Sequence, residues 1–177
     1  YDYARRNPLL YFDYLGLKYY LCIYTNCCRK HGAVYDDGHA ALALINTDNN
    51  SITTYGLWPD WHEDIVEAGL NDENASDVRI NFPNDKMSDY GYVHCREVSD
   101  KELEVFKREI SENWTWRYTQ TCASFASDVF YSTTNVDIDA DDLFGFETPR
   151  EIGDSILEAN NAESNSSNQS GNNRTSN

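Results

Sequence analysis

The run Gly38-His39-Ala40-Ala41-Leu42-Ala43-Leu44-Ile45-Asn46-Thr47-Asp48-Asn49-Asn50-Ser51-Ile52-Thr53-Thr54-Tyr55-Gly56-Leu57-Trp58 decides the fold class. Two β-prone stretches, 39–46 and 51–58, flank Asn46 to Asn50, whose side chains favour tight turns, so the segment reads as a β-hairpin. Pairing it symmetrically about Asp48-Asn49 puts Trp58 beside His39 and Thr54 opposite Ala43. Alternation along the first strand places His39, Ala41 and Ala43 on one face and Leu42 and Leu44 on the other. A histidine followed on its own face by two alanines makes a flat shelf on which a helix is expected to lie.

Upstream, residues 18–27 are rich in Tyr, Leu and Ile and read as a first strand. Downstream, Pro59 to Lys86 is polar and reads as irregular, with one short helix near Trp61–Ala68. Tyr90-Gly91-Tyr92-Val93-His94-Cys95-Arg96-Glu97-Val98 reads as a further strand. Three helices follow, each with a start signal. Ser99 and Glu102 form a capping box ahead of Leu103, Phe106 and Ile110. Cys122 opens a run with Phe125, Ala126, Val129 and Phe130 at helical spacing. Thr148-Pro149-Arg150-Glu151 combines an N-cap, a first-turn proline and an acidic third position before Ile152, Ile156 and Leu157. Strands first and helices later predict an α+β domain, an antiparallel sheet packed against helices.

The 177 residues are enough for one compact domain with a real core and too few for two ordinary ones. Hydrophobic residues make up 40% and aromatics 14%, the latter mostly 13 tyrosines, which is a globular composition. From Asn160 to Asn177 the chain is almost entirely Asn, Ser, Gly and Thr, with no apolar residue after Ala162. That composition predicts a disordered tail. The net charge of −16 lies almost wholly before the tail, which carries only Glu163 and Arg174. An acidic body argues against nucleic acid or an anionic membrane as partner and would suit a basic partner or cationic substrate. No stretch approaches the roughly 20 apolar residues that span a bilayer, so no transmembrane segment is expected. The chain shows no signal peptide and starts at Tyr1, as a fragment or processed piece would.

Five cysteines, Cys22, Cys27, Cys28, Cys95 and Cys122, are odd in number with two adjacent. They do not read as a disulfide framework and fit synthesis in a reducing compartment with at least one free thiol. Cys22, Cys27, Cys28 and His31 could supply zinc ligands, but they lack the Cys-x-x-Cys knuckle and lie partly in a strand. No metal or cofactor is assigned.

Cys122 carries the chemistry. A thiol becomes a nucleophile when its anion is stabilised, by the free amides of a helix start or by a nearby imidazole. In Gln120-Thr121-Cys122-Ala123-Ser124, Thr121 is a fitting N-cap, so the sulfur sits in the first turn and the amides there suit an oxyanion. The competing reading is a core cysteine on the face of Phe125, Ala126 and Val129. A helix lying on the alanine shelf would bring Cys122 beside His39 as base. The group that orients the imidazole stays open among Tyr92, His94, a backbone carbonyl and water.

Two resemblances bear on these residues. Residues 1–17, with Asn7-Pro8-Leu9 and Asp13-x-x-Gly16-Leu17, resemble the end of the Rhs repeat core, with Tyr14 where that family has proline. The resemblance implies the junction between an encapsulating Rhs shell, which self-cleaves nearby, and a variable C-terminal toxin. Over residues 38–158, Gly-His-Ala on a strand, Tyr55-Gly56-Leu57-Trp58-Pro59, a Cys-x-x-Phe-Ala helix and a Thr-Pro-Arg-Glu helix start resemble circularly permuted papain-like amidases related to the NlpC cell-wall peptidases. In that group the histidine strand precedes the cysteine helix. His39 and Cys122 fall on those positions, while Thr121 stands where asparagine is common. Lecithin:retinol acyltransferase shares the permuted order.

Together these imply a junction segment at 1–17, a papain-like thiol hydrolase domain at 18–159 and a tail at 160–177. The implied activity is that of an effector toxin for interbacterial competition, secreted and delivered into a target cell by an apparatus such as type VI secretion. Cys122 and His39 would cut an amide in peptidoglycan peptide or protein, and a cognate immunity protein is the implied partner. The rivals are a thiol acyltransferase or lipase, and a non-catalytic acidic binding module.

Overall fold

The computed structural model describes residues 18–26, 38–59, 77–87, 91–117, 119–141 and 147–172, with side chains in the last segment through Glu163. The junction segment 1–17, the expected helix at Trp61–Ala68, and Cys27, Cys28 and His31 lie outside the described residues. Five strands run in order along the chain: β1 (Tyr19–Thr25), β2 (Ala40–Asn46), β3 (Ser51–Leu57), β4 (Val78–Ile80) and β5 (Tyr92–Val98). They form one antiparallel sheet of spatial order β4-β3-β2-β1-β5. Three helices follow: α1 (Asp100–Ile110), α2 (Cys122–Thr134) and α3 (Pro149–Asn172). The α+β architecture expected from the element order is present. β4 is an addition within a stretch read as irregular.

The β2–β3 hairpin has the expected register, Leu42 opposite Tyr55 and Ala43 opposite Thr54. Its turn is held by side chains acting locally. Asn46 Oδ1 accepts from the Asp48 amide at 2.9 Å, Asn49 Oδ1 accepts from the Ser51 amide at 3.0 Å, and Asn50 takes the left-handed conformation with φ 54°. Asparagine tolerates that region better than most residues.

The sheet is buried on both faces. On one, Leu21, Ile23, Ala40, Leu42, Tyr55, Leu57 and Val98 pack with Leu103 and Phe106 of α1, Phe125, Ala126, Val129 and Phe130 of α2, and Ile152 and Ile156 of α3. On the other, Cys22, Tyr24, Ala41, Ala43 and Ile45 cluster with Tyr20, Met87, Val93 and Cys95. The alanine-shelf expectation is therefore corrected. α2 lies against the Ala40 and Leu42 face, where its large side chains bury more apolar area against Leu21, Ile23 and Leu42 than two alanine methyls offer.

The helix starts are as their sequences predict. Ser99 and Glu102 close a full capping box on α1, and Thr121 and Ser124 close one on α2. Thr148 Oγ1 accepts from the Glu151 amide at 3.3 Å, with Pro149 in the first turn of α3.

Two expectations fail for reasons of tertiary contact. Helix α3 does not end at Asn160 but continues to Asn172. Asn160 is held against β5, its Oδ1 2.8 Å from His94 Nδ1 and its Nδ2 donating to the Val93 carbonyl at 3.1 Å, and Glu163 pairs with Arg96. These contacts stabilise a segment whose composition alone does not favour order. Cys22 and Cys95, at paired positions of β1 and β5, form a disulfide, so Cys22 is not available as a metal ligand. Among the described residues, no helix is long and apolar enough to cross a membrane.

Candidate active site

Cys122 is the first residue of α2 and the free cysteine among the described residues. Thr121 Oγ1 accepts from the amides of Ala123 (3.2 Å) and Ser124 (3.4 Å), and Ser124 Oγ accepts from the Thr121 amide at 3.0 Å. Thr121 also donates to the Glu147 carbonyl at 3.1 Å. Thus the residue that stands where asparagine was expected is committed to building the helix start and tying it to the approach of α3. With its N-terminus fixed in this way, the helix holds the sulfur at its positive end.

His39 precedes β2 at the end of the two central strands. Its amide donates to Asn26 Oδ1 at 2.6 Å and its carbonyl accepts from the Asn26 amide at 3.2 Å, so the β1–β2 ladder is clamped where His39 leaves it. Its imidazole and the Cys122 thiol are neighbours, each acting on the charge of the other. Each residue keeps 8% of its surface exposed. The two residues singled out from sequence, 83 positions apart in the chain, are brought into contact.

The third group is Asp85, which sequence reasoning did not find. It ends a single 3₁₀ turn, Pro83–Asp85, and is fully buried. Its Oδ1 lies 3.0 Å from His39 Nε2. That contact is off the line of the ring N–H and acts as an ion-pair contact rather than an aligned hydrogen bond. Nε2 facing Asp85 leaves Nδ1 for Cys122.

The carboxylate is itself held. Trp58 Nε1 donates to both oxygens, at 3.2 and 3.1 Å, and the Tyr24 hydroxyl donates to the Asp85 carbonyl at 2.6 Å. The Trp58 ring stacks on His39 with centroids 3.9 Å apart and planes 29° apart, as the hairpin register predicts. Beneath them, a Cβ on Gly56 would stand 2.9 Å from Asp85 Cγ, closer still to Oδ2, and 2.9 Å from Trp58 Nε1. Only glycine leaves room for this carboxylate. A glycine inside a strand is the one local signal of such a site, because it marks the close approach of another group.

Tyr92 and His94, considered from sequence for the orienting role, do not serve it. Both share the helix-side face of β5 with Val98, and His94 pairs with Ile23, two strands from β2. The His94 ring is engaged by Asn160 and packs edge-on to Phe130.

Charge follows from this geometry. Burial pushes the Cys122 thiol up, but the His39 charge and hydrogen bond, with the Ala40 and Ala123 backbone amides, outweigh it and hold the thiol below its ordinary value. Burial likewise lowers His39. The Cys122 charge, the close contact of the Asp85 carboxylate and the Cys122 side chain overcome it and raise the imidazole to about 9. The two shifts run in the same sense, each favouring the thiolate and imidazolium as a pair. A buried thiolate beside a proton donor can attack an electrophilic carbon and then protonate what leaves.

Among the described residues, no cluster of three or more His, Cys, Asp or Glu side chains is placed to hold a metal ion. Comparison with known proteins finds no matching family model, no matching curated protein and no matching solved structure.

Proposed function

We propose that this chain is a papain-like cysteine hydrolase of permuted order, the toxin domain of an Rhs-type effector that cleaves an amide bond in a target cell. The observation that carries the hydrolase reading is the buried Cys122–His39–Asp85 constellation at a capped helix start. The toxin setting rests on the resemblance of residues 1–17 to the Rhs junction.

In this reading the Cys122 thiolate attacks the scissile carbonyl carbon, and the carbonyl oxygen takes up the negative charge against backbone amides at the start of α2. His39 Nδ1 gives its proton to the departing amine, which leaves a thioester on Cys122. Water then attacks the thioester while His39 accepts its proton. The carboxylic acid product departs, and His39 returns the proton balance to the thiolate and imidazolium pair. Asp85 and Trp58 keep the ring in one orientation through both proton transfers. Peptidoglycan peptide is the first candidate substrate and a protein amide the second.

The test is growth of bacteria expressing wild type, Cys122→Ala or His39→Ala, with and without an export signal. Wild type should arrest growth in at least one compartment, and both variants should lose about 10³-fold or more of the activity while keeping the wild-type thermal melt. Equal toxicity of wild type and Cys122→Ala rules out the hydrolase.

A further inference from the structure

The described part of the chain contains cysteines in two different states. Cys122 is a free thiol poised as an anion, whereas Cys22 and Cys95 are joined across β1 and β5 on the opposite face of the sheet from α2. The reducing cytosol does not sustain such a bond, and oxidising compartments do. The placement of the bond connects it to the active site. Cys22 is fully buried on β1, an inner strand, opposite Ala43 of β2 as well as Cys95. The next residue on that face of β1 is Tyr24, which is opposite Ala41 and whose hydroxyl anchors the Asp85 turn. The disulfide therefore fixes β5, an edge strand, to the strand that positions Asp85 against His39.

We propose that Cys22–Cys95 is an oxidation-set latch on the Cys122 site. The domain is made with both thiols reduced and reaches full hydrolytic competence only when the pair closes outside the reducing cytosol. This rests on the hydrolase reading and narrows its substrate to an amide exposed in an oxidising compartment, such as the peptide stems of the cell wall. Closure is thiol–disulfide exchange. The Cys22 and Cys95 thiols give up two electrons and two protons to a donor disulfide, which is reduced to two thiols.

Opening runs in reverse and starts at Cys95. That residue is partly exposed, so a reducing thiolate attacks its sulfur and Cys22 leaves as the buried thiolate. Reduction removes the covalent tie between edge strand β5 and β1, the strand that carries Tyr24. The loop closed by the bond spans 73 residues and includes His39, Gly56, Trp58 and Asp85, so opening also frees the chain that builds the site.

The full chain, produced with and without an export signal, is acid-quenched, unfolded in denaturant at mildly alkaline pH and alkylated with iodoacetamide before and after reduction, and the labelled peptides are weighed. In the exported protein Cys22 and Cys95 should label only after reduction, while Cys122 labels at once; in the cytosolic protein all three should label at once. Reducing the purified exported protein should lower its Tm by about 5–15 °C. The double variant Cys22→Ala with Cys95→Ala should be at least about tenfold less toxic in the periplasm. Free Cys22 and Cys95 thiols in the exported protein would overturn the latch, as would a double variant with wild-type Tm and toxicity. Failure of the hydrolase reading is distinct, because Cys122→Ala would then be as toxic as wild type with the disulfide intact.

Discussion

At the scale of single residues, the site depends on Asp85 being held where it can neither rotate nor reach water. Trp58 takes both carboxylate oxygens, Tyr24 holds the backbone and Gly56 supplies the space. Two substitutions test this. Asp85→Asn removes the charge and one acceptor, and is expected to lower kcat/KM about 10- to 100-fold, the worth of a close charged contact. The pH profile gives the specific signature. Activity requires the thiolate and the imidazolium together, so it falls on the acid side as Cys122 gains its proton and on the alkaline side as His39 loses its own near 9. Since Asp85 helps raise His39, its loss moves the alkaline limb to lower pH. The sign for stability agrees. A histidine raised from 6.5 contributes stability that is full below about 6.5 and lost as pH rises through about 9. Gly56→Ala should show the same shift of the alkaline limb with Asp85 intact, together with about 1–3 kcal/mol of destabilisation from forced repacking. An unshifted limb in both variants would mean that Asp85 does not act through His39.

At the scale of elements, local signals and long-range ones part company. The hairpin turn, the Ser99–Glu102 box, the Thr121 cap and the Thr148-Pro149 start are each written within a few residues, and each was legible. Cys122 and His39 were legible as candidates because a helix start and a strand end are local features. Asp85 was not, because a one-turn helix after edge strand β4 carries no periodicity and no fixed spacing to His39. The Cys22–Cys95 bond was hidden for the same reason, since pairing β1 with β5 depends on register between distant strands. Order past Ala159 in α3 was not legible because Asn160 and Glu163 bind β5, a tertiary contact that composition does not show. Asn160→Ala tests that point. It strands His94 Nδ1 in a buried position, with an expected cost of about 1–3 kcal/mol. At roughly 2–4 °C per kcal/mol the melt should drop by several degrees. An unchanged melt would mean that the Asn160 contacts with β5 contribute nothing to the fold.

At the scale of the whole molecule, the sheet works as a two-sided scaffold. One face carries the helices, including the one that presents Cys122. The other carries the disulfide, Tyr24 and the seat of Asp85. His39 lies at the end of the two central strands, where these two sides meet, so the reacting pair is supported by elements buried on both faces. The chain's net charge of −16 disfavours phosphate-rich partners by simple repulsion. The central claim is that Cys122 rests as a thiolate paired with the His39 imidazolium, and the rate of Cys122 alkylation by iodoacetamide as a function of pH tests it most directly. The account predicts labelling that is already rapid well below the ordinary thiol value of 9.0, with His39→Ala restoring a slow rate that climbs toward that value. A wild-type rate that itself climbs toward pH 9.0, indistinguishable from His39→Ala, would contradict it.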